Sequence, residues 1–236
     1  ESNPGASSGQ SYSTFLISDP EGIVKAGDFA AIVIVNQKKD GAKTYINAEK
    51  IKNIKMPFTK YQALLKLLKK AIKEFGKTNR LKAGEFSQRL KKIIEKYNSR
   101  NEIDIVHDVI DDVMEGLSDE LQKLFEDLKK EKKSFEDLGI TYDEKAFFDI
   151  LVAVAEKYDF RKNYDDEKLI EISKEIKKLV SNKSKYTDWT NRTDIRDELY
   201  SDVVTLLYKK GFPPKPIDEA YEEIMKQVEN FKKYQD

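Results

Sequence analysis

The chain has 236 residues, 39% of them hydrophobic and 36% charged, with 43 Lys and Arg against 43 Asp and Glu, a single His and no Cys. That apolar content can supply a real core, and the charge density suits long amphipathic helices with solvated faces better than a β-sandwich. Without cysteine, disulfide and thiolate chemistry are excluded, which agrees with a cytoplasmic location; no apolar run approaches the roughly 18 residues of a membrane-spanning helix, and no basic segment followed by an apolar one marks a signal peptide. The sequence starts at Glu1 rather than Met and reads as a piece of something longer. Its zero net charge conceals a division: residues 36–97 hold 18 Lys and Arg against 5 Asp and Glu, and residues 101–160 hold 7 against 18. A basic and an acidic half on one chain imply either two different neighbours or two halves that face each other.

Residues 1–26 read as a flexible leader or linker, Ser-, Gly- and Pro-rich over ESNPGASSGQSYST and unable to bury apolar surface. Residues 27–84 read as a hairpin plus a basic helix. The β-branched runs Phe29 to Val35 and Lys43 to Ala48 flank a short connection containing Asp40-Gly41, a hairpin signal. A lone hairpin is marginal in water, so this one needs a helix or a further sheet to pack on. From Thr59 the period becomes helical. Thr59 and Gln62 have the spacing of a capping box, and Leu64, Leu65, Leu68, Ile72 and Phe75 form an apolar stripe, while Lys66, Lys70, Lys73 and Lys77, with Lys69 beside them, share another face. A second helix, from roughly Glu85 to Tyr97, buries Phe86, Leu90, Ile93 and Ile94 and presents Arg89, Lys92 and Lys96. So dense a basic face is either merely solvated or kept for an anionic partner such as duplex phosphate, through sequence-blind, salt-sensitive contacts. A nucleotide or small anion could also settle there. Gly76-Lys77-Thr78 spells the loosest form of a phosphate loop, but that chemistry needs a strand before the loop. A Lys-rich helix stands there instead, so Gly76 reads as a helix C-cap.

Residues 85–236 read as one C-terminal helical domain. In its acidic part, Ile105, Val109, Ile110 and Val113 continue into Leu117, Leu121, Leu124, Phe125 and Leu128, with Gly116-Leu117-Ser118 as a break or kink. His107 has no legible orienting partner or pocket, which acid–base work requires, and reads as an ordinary helix residue. Asp104, Asp108, Asp111, Asp112 and Glu115 follow one another along a helix, whereas a hard cation needs ligands converging from a loop or from facing helices; the reading is a solvated face and no metal site. A metal-dependent nuclease would need its carboxylates and lysine on adjacent strands, and the three candidates, Glu131-Lys132-Lys133, Asp143-Glu144-Lys145 and Asp166-Glu167-Lys168, lie in helical sequence. With one His and no Cys, no nucleophile–base set can be assembled either.

Farther on, Thr141 to Glu144 is a capping box and residues 146–155 are the most apolar segment of the chain. Asp165 or Asp166 caps the next helix, with Leu169, Ile172, Ile176 and Leu179 facing inward. Asp188 is expected to cap a further helix through Ile195, Leu199, Val203 and Leu206, stopped by Gly211-Phe-Pro-Pro214; a last helix runs from Ile217 to about Lys232. Trp189, the sole Trp, falls at the expected first helical position, where it either fixes chain entry by packing on the bundle or serves as an exposed anchor in an interface. The fold class read from these elements is mainly α, a helical bundle with one small β-hairpin near the N-terminus.

Four phrases carry a resemblance. Tyr97-Asn-Ser-Arg100, Leu138-Gly-Ile-Thr-Tyr-Asp-Glu-Lys-Ala-Phe-Phe-Asp-Ile-Leu151, Asp188-Trp189-x-x-Arg192-x-x-Ile195-Arg196-x-x-Leu199 and Tyr208-Lys-Lys-Gly-Phe-Pro-Pro214 resemble, in words and in order, the C-terminal helical region of the R subunit of type I restriction-modification enzymes. The similarity is clear from about residue 85 and weaker over 27–84. Ser99 stands where a second Asn is common, and Phe148 and Phe212 where Tyr is common. The resemblance implies a fragment without the nuclease domain and the ATP-driven DNA translocase, the parts that use ATP and Mg, so that the fragment itself requires no cofactor and has no catalytic residues. It implies a docking role toward the methyltransferase (modification) and specificity subunits, and it marks Trp189, Arg192 and Arg196 as candidate docking positions. The basic residues Lys66, Lys69, Lys70, Lys73, Lys77, Arg89, Lys92 and Lys96 remain candidates for contact with duplex DNA or phosphate.

Overall fold

The structure, a computed structural model, describes residues 34–37, 43–46, 51, 54–55, 57–99, 107–182, 189 and 191–235, with the backbone alone for 34–37, 43–46, 107–111 and 235. Seven α-helices follow one another among the described residues: α1 (Pro57–Thr78), α2 (Arg80–Asn98), α3 (His107–Lys133), α4 (Tyr142–Lys157), α5 (Asp166–Val180), α6 (Thr193–Lys209) and α7 (Asp218–Gln235). Most of the expected hairpin, including its turn, lies outside the described residues; of it, β1 (Ile34–Gln37) and β2 (Lys43–Ile46) run antiparallel with Ile34 opposite Ile46.

The helices group around two apolar clusters. In the first, α1 packs on both α2 and α3, burying Tyr61, Leu64, Leu68 and Phe75 of α1 against Phe86 and Leu90 of α2 and Leu121 and Leu128 of α3. Because a single residue separates α1 from α2, the second helix folds straight back on the first. Tyr61 stacks on Tyr97 with ring centroids 4.6 Å apart at the open end of this pair, and at its closed end Phe75 meets Phe86 edge-on at 6.1 Å. The second cluster joins α4 to α5, α6 and α7 around Phe147, Leu151, Leu169, Ile172, Leu199 and Ile224. The 146–155 segment, the most apolar of the sequence, is its centre, with Ala146, Phe147, Phe148, Ile150, Leu151, Val154 and Ala155 all buried. The Gly211–Pro214 corner is pinned by aromatics: Phe212 packs against Phe160 and Tyr164 at 5.3 and 5.1 Å, the Tyr164 hydroxyl donates to the Gly211 carbonyl, and Gly211 takes a φ of 68° that a glycine adopts without strain.

A polar seam fastens the two clusters at the α1–α2 junction. Asn79 caps α2 by accepting from the Lys82 amide at 3.0 Å, and its side-chain amide donates to Asp149 of α4 at 2.6 Å. Asp149 is buried and paired with Lys145 one turn earlier, and Lys145 also reaches Glu131 of α3 at 3.2 Å. From α7, Gln227 accepts from the Arg80 amide and donates to the Thr78 carbonyl, at 3.0 and 2.6 Å. Asn230 donates to the Gly76 and Lys77 carbonyls at 2.9 and 3.1 Å. The last carbonyls of α1 and the first amide of α2, which have no partner within their own helices, are thus satisfied from across the fold. Burial holds the Asp149 carboxyl above its ordinary value, against the opposing pull of Lys145 and Asn79.

Several local expectations are corrected. The helix expected from Thr59 starts at Pro57, because proline suits the first helical position, and Thr59 is already inside it. Gly76 is no C-cap: it sits in the last turn of α1, where an added Cβ would come within 3.1 Å of the Ala83 Cβ, so its role is close helix approach. The second helix begins at Arg80 rather than Glu85, since Asn79 supplies the cap. Residues 116–118 do not break α3, which runs unbroken through them, with the Ser118 hydroxyl turned back onto the Met114 carbonyl one turn earlier at 2.8 Å. The helix expected from Asp188 begins at Thr193, with Arg192 at the cap position and no side-chain cap bond, so Trp189 precedes it rather than opening it. Thr141 does close its capping box with Glu144, and Asp165 does cap α5 through the Lys168 amide.

Candidate functional site

Two surfaces carry the residues that the sequence singles out. On α1, positions 66, 69, 70, 73 and 77 fall within about 100° of arc, on the side away from buried Leu64, Leu67, Leu68, Ala71 and Phe75. Lys66, Lys69 and Lys73 are exposed, and Lys70 and Lys77 are half-buried. Lys77 pairs with Glu74 at 2.5 Å.

The cations of α2 divide between two sides. Arg89 and Lys96 turn toward α3, where Arg89 pairs with Asp127 and Lys96 holds Glu120 at 2.7 Å; Lys60 of α1 reaches Asp119 at 3.9 Å. The basic and acidic halves therefore face each other inside one fold, through exposed ion pairs worth little singly but matched in sign along the α2–α3 contact. Lys92 stays exposed. Arg80 and Lys91, eleven residues apart and so on one face of α2, lie on the opposite side. With Lys69 and Lys73 of α1 they rim an open furrow of about 410 Å³ between the two helices. Its lining includes no acidic residue. Sequence reading passed over Arg80 and Lys91, although their i, i+11 spacing was a usable signal.

The second surface is α6. Of its 17 residues only Leu199, Val203 and Leu207 are buried, which leaves Arg196 and Tyr200 exposed one turn apart and Tyr208 at 72% exposure. The Arg196 Nε donates to Glu229 of α7 at 3.0 Å, and a cleft of about 370 Å³ between α6 and α7 is walled by Arg196, Tyr200 and Met225. Arg192, at the cap position, holds Asp194 at 2.5 Å, and its hydrogen bond keeps that carboxyl below its ordinary value. Trp189 is 7% exposed within the second apolar cluster. The three candidate docking positions thus part company: the arginines face solvent and the tryptophan faces the core.

No strand geometry surrounds the three Glu-x-Lys-type stretches, which lie at the end of α3 and in or beside the first turns of α4 and α5. Gly76–Thr78 is helical, so its amides are engaged in the helix rather than gathered into a phosphate cradle. Among the described residues there is no group of three or more His, Asp or Glu that could hold a metal ion, and the side chain of His107 lies outside them. No helix among them is long and apolar enough to cross a membrane.

Comparison with known proteins gives a consistent result. The family described as "Type I restriction enzyme HindI endonuclease subunit-like, C-terminal" matches residues 44–234. A protein of Methanocaldococcus jannaschii named as the MjaIXP type I restriction enzyme endonuclease subunit is 27% identical over 148 residues, 63% of this chain and 13% of that protein. The type I restriction enzyme HindI endonuclease subunit of Haemophilus influenzae is 28% identical over 167 residues, 71% of this chain and 14% of that protein. The matched part therefore spans about one seventh of these relatives. No solved structure matches.

Proposed function

Since the chain belongs to the family of C-terminal parts of type I restriction enzyme endonuclease subunits, we propose that it is a docking module without chemistry of its own, holding the nuclease and motor parts of its subunit on the methyltransferase and specificity subunits. It needs no cofactor; ATP and Mg serve other parts of the full-length subunit, and the work is done in the cytoplasm. The observation that carries this reading is the outward face of α6, where Arg196, Tyr200 and Tyr208 stand exposed on a helix that commits only three residues to the core. Arg and Tyr are the side chains that interfaces enrich, because they bring large contact area and directional hydrogen bonds at modest entropic cost. Contact of the basic helices with duplex DNA has less behind it, since their cations do not share one face: Arg89 and Lys96 turn to carboxylates of α3, away from Lys69 and Lys73 on α1.

The test is co-elution of the 236-residue chain with purified methyltransferase–specificity complex, and competition with the full-length endonuclease subunit. Binding is expected, and Arg196→Glu with Tyr200→Ala and Tyr208→Ala should abolish it while leaving the far-UV circular dichroism unchanged. A chain that neither co-elutes with that complex nor competes with the full-length subunit would overturn the reading. Co-elution that survives the triple substitution would remove α6 from it.

A further inference from the structure

The furrow between α1 and α2 has the form of a seat for a third helix. Among the α2 residues that line it, Arg80, Ala83, Ser87, Leu90 and Ile94 follow one another at spacings of 3, 4, 3 and 4, with Gly84 and Lys91 beside that row. That is the spacing with which one helix offers holes to the knobs of another. On α1 the matching row is Lys69, Ile72, Lys73 and Gly76. Small residues keep the middle of the furrow low: an added Cβ on Gly84 would meet nothing within 4 Å, and Gly84 and Ser87 are exposed. Leu90 and Ile72 make an apolar floor, and Tyr234, 48% exposed, stands at the edge. Cations stand on both walls. No carboxylate lies within 4 Å of Lys69, Lys73 or the Arg80 side chain among the described residues, and Lys91 has only a loose partner in Glu95 at 3.7 Å.

From this we propose that the furrow receives an amphipathic helix of a protein partner, with an apolar stripe that enters between α1 and α2 and acidic residues on its flanks that meet Lys69, Lys73, Arg80 and Lys91. The proposal rests on the docking reading and names the chemistry of one docked element. The span from Arg80 to Lys91 is about 16 Å, enough for roughly eleven helical residues. Charge complementarity selects an acidic helix over a neutral one. The apolar floor selects it over duplex DNA, whose phosphates would leave Ile72 and Leu90 facing polar oxygens.

The probe is a labelled peptide of about 18 residues, with Leu at the seam positions and Glu flanking them, set against the same residues in an order that breaks the stripe and against a 20-base-pair duplex. Fluorescence anisotropy with the 236-residue chain should show saturable binding of the striped peptide, at least about tenfold tighter than the shuffled one. Gly84→Leu fills the furrow at a position with open space above it, so its helicity and melting temperature should hold while peptide affinity falls about tenfold or more. Lys69→Glu with Lys73→Glu should weaken binding comparably. Equal affinity for the shuffled peptide, unchanged affinity in Gly84→Leu, or displacement of the peptide by duplex would overturn the proposal, as would sedimentation of the chain as a dimer that no longer binds peptide. No methyltransferase is present in this assay, so it can fail while docking through α6 stands, and the reverse.

Discussion

Replacing Asp149 by Leu should uncouple the two apolar clusters. Asp149 and Lys145 are buried together, the carboxylate accepting from the Asn79 amide at 2.6 Å on its other oxygen. Removing one partner of a buried pair costs about 3–5 kcal/mol, because the remaining charge is stranded. Lys145 retains Glu131 at 3.2 Å, which brings the expected loss to the low end, about 3 kcal/mol. Adding Lys145→Met removes the stranded charge. The double variant then lacks an acceptor for the Asn79 amide, worth about 1 kcal/mol, and leaves Glu131, which reaches solvent, without its lysine at little cost; it should recover about 2 kcal/mol of the loss. Urea titration measures both variants, and the chain has a built-in reporter for one half: Trp189, its only Trp, is buried in the α4–α7 cluster. In the unsubstituted chain, Trp fluorescence and far-UV circular dichroism should give coincident transitions. In Asp149→Leu the seam is weakened and the dichroism transition, which also sees α1–α3, should move to lower urea than the fluorescence transition. A loss below about 1 kcal/mol, or a double variant no better than the single one, would refute the assignment of the seam as a buried electrostatic lock.

Asp149 also predicts a pH dependence whose sign depends on whether burial or pairing dominates. Its folded pKa lies above the ordinary 3.8, so the native chain binds the proton more tightly than the unfolded one; stability from this site grows as pH falls through the folded value and is lost as pH rises above it. The cost of Asp149→Asn should therefore increase from pH 7 toward pH 4 in paired denaturation curves, and a cost that shrinks on acidification would mean that Lys145 outweighs burial. Thr141→Ala removes the hydroxyl that accepts from the Glu144 amide in the α4 capping box, leaves the return bond from the backbone amide of residue 141 to the Glu144 carboxylate, and should lower stability by about 1 kcal/mol, read by thermal unfolding. Leu151→Ala opens a cavity at the centre of the second cluster, where Leu151 is fully buried, and should cost about 3 kcal/mol with a matching shift in the Trp189 transition.

What the sequence made legible was whatever depends on neighbours along the chain. The order of the helices, the capping box at Thr141, the aspartate cap at Asp165 and the apolar weight of residues 146–155 all follow from spacings of a few residues, and all are found. Boundaries slipped where two local signals competed: Pro57 and Thr59 both announce a helix start, and the proline won. Gly76 looked like a stop because its real partner, Ala83, lies on another helix. The seam was out of reach for the same reason, since Asn79, Asp149, Gln227 and Asn230 acquire their roles only when the α1–α2 junction meets α4 and α7.

The charge pattern is the instructive case. A stretch with 18 cations and another with 18 anions are visible in the string, but composition cannot separate cations that face an acidic helix from cations that face outward. The fold separates them by side. Arg89 and Lys96 turn to Asp127 and Glu120, and Arg80 and Lys91 turn with Lys69 and Lys73 to an open furrow. Where opposite charges meet inside one chain they help to fix the register of α2 against α3. The cations that remain are the ones with a field to offer a partner, and their placement beside an apolar floor, rather than on a bare convex face, makes an acidic helix a better match for them than a phosphate backbone.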